Sequence, residues 1–227
     1  MKLSARLGAV AQHVLPGEPV ADVGTDHGQL PVSLLLSGRV PRVIASDRRP
    51  DPLNNARRLA AASRLEAPRF EARLSDGLAH LQAGEAATVT ICGMGGALMV
   101  RILTAHPPQR CGVRRLVLQP NNAAERLRPH LVEDGWAIVD EEMVAEGGYF
   151  YPIIVAERVD RSVPLSASDA LLGPVLRERQ PAAYRAWLAA EAARLEALIA
   201  RAVGSGARED SPALAKLRER LAIISPA

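Results

Sequence analysis

"DVGTDHGQLP", residues 22–31, follows one apolar run and precedes another. That order is how an α/β protein carries a strand through a ligand-binding turn into a helix. A turn built for phosphate offers bare backbone N–H groups and positive potential. This one instead carries Asp22, Asp26 and His27. In a dinucleotide fingerprint, G-x-G-x-x-G, the middle glycine lets the backbone approach a pyrophosphate. Here the order is Gly24-Thr25-Asp26-His27-Gly28, and a carboxylate stands where the pyrophosphate would lie. NAD, FAD and mononucleotides are therefore disfavoured. S-adenosyl-L-methionine resolves the mismatch, because it has no phosphate and carries a sulfonium and an ammonium group that suit nearby carboxylates.

Outward from this turn, strand-type runs alternate with helix-type segments. The strand candidates are residues 19–24, 42–47, 68–74, 87–94 and 114–120. Alternation of this kind implies βαβ units and a mainly parallel sheet with helices on both faces. After residue 135, "WAIVDEEMVAEGGYFYPIIVAERV" reads as two strands joined at Gly147-Gly148, so the sheet should end in an antiparallel hairpin. The expected fold is a Rossmann-like, mostly parallel sheet of seven strands with an antiparallel terminal hairpin over residues 1–160. From about residue 165 the pattern is helical. Tyr184, Leu188, Ala192, Leu195, Ile199 and Ala202 step by fours and threes, as do Leu214, Leu217, Leu221 and Ile224. Residues 161–227 are thus expected to form an antiparallel two-helix coiled coil, turning at "GSGAREDSP".

Composition sets outer bounds. With 227 residues, 48% apolar and 23% charged, the chain can bury a core and is ordinary for a globular protein. No apolar run approaches the roughly 18 residues that span a bilayer. Leu3, Leu7, Val10 and Val14 make the start an amphipathic helix rather than a secretory signal. Cys92 and Cys111 lack metal-site spacing and fit a reduced compartment, which points to the cytoplasm and to no bound metal. Lys2 and Lys216 are the only lysines among 28 basic residues. Arginine's planar fork suits phosphate, although a GC-rich genome gives the same bias.

Three acids close successive strands: Asp22, Asp47 and Asp76. Asp47 lies about 20 residues past the turn, where an acid grips ribose hydroxyls. Asp76 can accept from an adenine amino group. Each has a plain alternative as a turn or helix cap, but ligands of such sheets bind at the carboxyl ends of strands, where all three fall. The fourth strand ends in "CGMGG", residues 92–96, whose glycines leave room for a flat substrate or simply start a helix.

"LSARLGAVAQHVLPGEPVADVGTDHGQLPV", "CGMGG", "LQPNNAAERLR" and "EGGYFYPIIV" together resemble the bacterial tRNA (adenine-22-N1)-methyltransferase family, TrmK, over nearly the whole chain. The resemblance implies a class I methyltransferase fold, S-adenosyl-L-methionine as donor and N1 of a D-arm adenine as acceptor. It implies cofactor contacts at Asp22, Gly24, Asp47, Asp76 and Gly93, with Asp26 and His27 beside the point of methyl transfer. Gly93, Met94, Gly95 and Gly96 would floor the target-base pocket, and Pro120 and Asn121 would edge it. Where family members show an aromatic residue soon after the Asp-His pair, this chain has Gly28-Gln29.

Adenine N1 carries an in-plane lone pair, so no strong base is needed; the site must align the reactants and stabilise the positive charge that moves onto the base. Asp26 is the candidate for that charge, with His27 second. Because N1 lies on the pairing edge, the base must leave the stack. Tyr149 and Tyr151, on one face of a strand, are the candidates to receive it. Arginines at 39, 42, 48, 49, 57, 58, 64, 126 and 128 are candidates for the tRNA backbone. A monomer or weak dimer is expected, with tRNA as partner and no membrane. The rivals are a methyltransferase acting on another RNA base or a small molecule, and a non-catalytic RNA-binding protein retaining the fold.

Overall fold

The computed structural model describes residues 1–206, 208 and 211–225. Ala207, Glu209 and Asp210, in the turn expected at "GSGAREDSP", lie outside the described residues, as do Pro226 and Ala227. Contacts divide the chain into two compact units, Met1–Val175 and Leu176–Ala227.

The first unit is built on a seven-stranded sheet. Its strands are β1 (Val20–Val23), β2 (Val43–Asp47), β3 (Phe70–Leu74), β4 (Thr88–Gly95), β5 (Arg115–Asn122), β6 (Trp136–Glu146) and β7 (Tyr149–Arg158), in the order β3-β2-β1-β4-β5-β7-β6. The first five are parallel, and β7 inserts antiparallel between β5 and β6. Val20, Ala21, Val43, Ile44, Val89, Ile91, Leu116 and Leu118 are buried without remainder because helices cover both faces. Gly147 and Gly148 both have positive φ, and Glu146 pairs with Tyr149 across them, the geometry of a tight two-residue hairpin turn.

The order reverses at β1 and β4, because β1 has β2 on one side and β4 on the other. Chains entering helices there diverge to opposite faces and leave a crevice at the strands' carboxyl ends. Helix α1 (Ala5–His13) is fixed at both ends. Ser4 caps its start by accepting from Leu7 N–H, and Ala5 N–H donates to Glu146 at 2.6 Å. At the other end, Arg39 donates to the carbonyls of Gln12 and Val14. Helices α2 (Gln29–Leu36), α3 (Pro50–Ala62), α4 (Gly96–Ala105) and α5 (Ala124–Glu133) follow β1, β2, β4 and β5.

Residues 161–175 belong to the sheet unit, although the sequence pattern groups them with the helical part. Helix α6 (Ala167–Leu172) is held there by Arg128 of α5, which donates to the carbonyls of Ala170 and Leu171 and pairs with Glu141 of β6. Arg128 is therefore a buried structural group and cannot meet a tRNA phosphate. Helix α7 (Pro174–Arg179) follows, and in the second unit α8 (Ala182–Gly204) and α9 (Pro212–Ile224) pack with Leu195 and Leu214 buried. Glu191 binds Arg194 and Arg220, joining the two helices. Tyr184 and Trp187 pack with ring centroids 5.6 Å apart. Among the described residues, no helix is long and apolar enough to cross a membrane.

Candidate cofactor and target-base site

Two cavities open at the carboxyl ends of β1 to β4, with volumes of about 480 and 660 Å³. They share Gly24, Asp47, Arg49 and Met94. Together they form a trough of the size that holds a cofactor with part of a substrate. Gly24 has φ +74°, and a Cβ there would stand 2.1 Å from the Met94 methyl carbon. The glycine therefore supplies the turn's left-handed conformation and lets Met94 sit between the two cavities.

Asp22, Asp26, His27 and Asp47 line the first cavity, and Asp47 and Asp76 line the second. Asp22 is buried, and its carboxylate accepts from the Thr90 hydroxyl at 2.5 Å. Burial pushes its pKa up; hydrogen bonds from the Thr90 and Thr25 hydroxyls oppose this, and the charge of Asp47 adds to it. Asp22 has no ion-pair partner among the described residues. A buried carboxylate without a counter-charge fits a cationic ligand that supplies one. Asp47 accepts from Arg49 N–H at 2.8 Å through one oxygen. Asp26 is exposed and has φ +50°, a strained conformation of the kind that collects at functional turns. Its carboxylate lies 3.7 Å from His27 Nε2.

The opposite wall holds residues that the sequence reading missed. Gln119, wholly buried at the end of β5, accepts from Gly93 N–H at 3.1 Å and from Arg6 Nη1 at 2.5 Å. Its amide donates to Asn121 Oδ1 at 3.2 Å, and Asn121 Nδ2 donates back to the Gly93 carbonyl at 2.8 Å. Arg6, Gly93 and Asn121 thus form one hydrogen-bonded wall of the first cavity. Arg6 also lies over the Tyr151 ring, 5.4 Å from its centroid. Tyr151 and the exposed Tyr149 have centroids 6.4 Å apart, outside the cavity lining but joined to it through Arg6. Gln29 lines the same cavity.

Three expected pocket residues have packing roles. Pro120 is buried within β5 and lines neither cavity. A Cβ on Gly96 would stand 2.3 Å from the Ala123 carbonyl oxygen, and one on Gly95 would stand 2.9 Å from Asn122 Oδ1. These glycines let the start of α4 lie against the end of β5. Cys92 lines the first cavity as a neutral thiol, since burial and the nearby Asp22 push its pKa up. Among the described residues no group of three or more His, Cys, Asp or Glu is arranged to hold a metal ion.

The family model for TrmK, tRNA (adenine(22)-N(1))-methyltransferase, matches residues 20–225. The chain belongs to the TrmK family. The Bacillus subtilis tRNA (adenine(22)-N(1))-methyltransferase is 37% identical over 81% of this chain and 79% of its own. The crystal structure of Bacillus subtilis TrmK superposes with a TM-score of 0.88 at 32% identity, covering 98% of this chain and 97% of that one. Streptococcus pneumoniae Sp1610 in complex with S-adenosyl-L-methionine gives 0.87 at 32% identity, covering 98% of each chain. Like the rest of the TrmK family, the chain is an S-adenosylmethionine-dependent tRNA (adenine(22)-N(1))-methyltransferase.

Proposed function

We propose that the trough holds S-adenosylmethionine with its amino-acid end in the first cavity and its adenosine half in the second, leaving the Asp26–Asn121 side for adenine 22 of tRNA. When bound, the cofactor supplies a methyl group activated by a sulfonium. The observation that carries the reading is Asp22, a buried carboxylate whose missing counter-charge the cofactor's ammonium provides. Arg6, across the same cavity, is the matching cation for the cofactor's carboxylate. Asp47 receives the ribose hydroxyls and Asp76 the adenine amino group. Asp26 accepts from the target's N6 amino group and stabilises the positive charge that develops on the ring. His27 packs beside it, and the Gly93–Gln119–Asn121 wall orients the base. The protein acts in the cytoplasm, as a monomer or weak dimer.

Primer extension on total tRNA tests this directly, because N1 methylation blocks reverse transcription. Wild-type protein with S-adenosylmethionine should create a stop at adenine 22, and Asp26→Asn should lower the single-turnover rate about tenfold. A stop at another base, or an Asp26→Asn rate equal to wild type, would overturn the assignment it concerns.

Tyr149 and Tyr151 are the platform for the extruded base. Base–aromatic stacking is worth about 1–3 kcal/mol, so Tyr149→Ala should weaken tRNA binding at least about fivefold. Cofactor affinity, measured by calorimetry, should stay the same. Unchanged tRNA affinity in the Tyr149→Ala, Tyr151→Ala double variant would remove the tyrosines from the site.

A further inference from the structure

Arg48, Arg49, Arg101 and His106 stand together around the second cavity, and all four are exposed. None has a side-chain hydrogen bond or ion pair among the described residues. Several other arginines of this unit are engaged, Arg39 with backbone carbonyls, Arg42 and Arg73 with Glu71 and Glu85, Arg115 with Glu157, whereas Arg64, Arg110, Arg126 and Arg161 lack such partners among the described residues but line neither cavity. The rim guanidiniums do not neutralise the cavity's own acids either, since Asp47 is held by the backbone N–H of Arg49. These three permanent positive charges stand at the mouth of the cavity assigned above to the neutral adenosine half, which offers them no counter-charge. They suit an anion with planar, bidentate acceptors, which is the geometry of a phosphodiester.

We propose that Arg48, Arg49 and Arg101, with His106, seat phosphates of the tRNA backbone, so that bound tRNA roofs the cofactor cavity. The inference rests on the tRNA reading above. It has a kinetic consequence: the cofactor enters before tRNA binds, and its demethylated product leaves only after tRNA does.

The test compares wild type with the Arg48→Ala, Arg49→Ala, Arg101→Ala variant. The tRNA dissociation constant is measured across about 50 to 200 mM salt, where each phosphate contact contributes a slope of about 0.7–0.9. The variant's slope should be shallower by about 2, with binding at least about tenfold weaker at the middle of that range. S-adenosylmethionine affinity should stay equal or tighten, because the removed charges repel it. Release of labelled S-adenosylmethionine, followed with saturating tRNA carrying guanine at position 22, should slow at least about tenfold in wild type and stay fast in the variant. Equal slopes would overturn the phosphate assignment, and a parallel loss of cofactor affinity would assign the arginines to the cofactor cradle instead. Unslowed release in wild type would overturn the roof. A wild type indifferent to tRNA would instead overturn the functional reading, which a variant binding tRNA as well as wild type does not.

Discussion

Arg128→Met is expected to lower stability by about 3–5 kcal/mol, because it removes one partner of a buried ion pair. Arg128 and Glu141 are almost completely buried and face each other at 2.7 Å. Arg128 also donates to the Ala170 and Leu171 carbonyls at 3.0 and 3.1 Å, and Glu141 accepts from Val175 N–H at 3.1 Å. Methionine fills much of the arginine stem's volume, so packing loss is the smaller part of the effect. The larger part is the loss of the guanidinium from the buried Glu141 carboxyl, with two carbonyls deprived of donors. At about 2–4 °C per kcal/mol for a chain of this length, the melting temperature should fall by roughly 6–20 °C. The Arg128→Met, Glu141→Leu double variant should recover most of that fall, since replacing a buried pair by apolar residues is often neutral. A single variant melting within about 2 °C of wild type would mean that water or a neighbouring group relieves Glu141.

That pair also marks the limit of what pattern reading delivers. Three of the parallel strands, β1, β2 and β4, were legible as short runs with β-branched residues closed by glycine or aspartate, β3 and β5 as short runs alternating with helical segments, and the hairpin because Gly147-Gly148 suits a tight turn. Arg128 read as one more surface arginine on an amphipathic segment, since nothing local says that Glu141 will be packed against it. The same holds for Arg6. It sits on a helix ahead of the first strand, and only the folding of α1 across the ends of β4 and β5 brings it to Gln119. Gln119 could have been suspected: a glutamine inside the apolar run "RLVLQP" must be satisfied once buried. The acids were the easiest part, because strand ends are fixed in sequence and the switch point gathers them. Gly95 and Gly96 show the opposite difficulty. A glycine's freedom from a side chain serves a ligand or a neighbouring backbone equally well, and only the 2.3 Å approach to Ala123 shows which neighbour Gly96 has.

Asp22→Asn should weaken S-adenosylmethionine binding by about 2–4 kcal/mol, roughly 30- to 1,000-fold, while the ligand-free protein becomes more stable. The two effects have opposite signs for one reason. Burial holds the Asp22 pKa above its ordinary value of 3.8. An acid raised in this way binds more protons folded than unfolded, so at neutral pH its ionisation opposes folding, and the opposition fades as pH falls through the folded pKa. Asparagine keeps the shape and can still accept from Thr90, but it removes the buried charge and with it that opposition. The cofactor's ammonium interacts favourably with the carboxylate form alone. Wild-type affinity should therefore be full above the raised pKa and decline as the pH is lowered through it, with proton release on binding in that window. The variant's affinity should lack this component. Calorimetry at a series of pH values from neutral downward measures both, and thermal melting of the ligand-free proteins at neutral pH measures the stability change. If the variant bound S-adenosylmethionine within about threefold of wild type, Asp22 would not carry the ammonium. If its melting temperature fell instead, the Thr90 hydrogen bond would outweigh the cost of burying the charge.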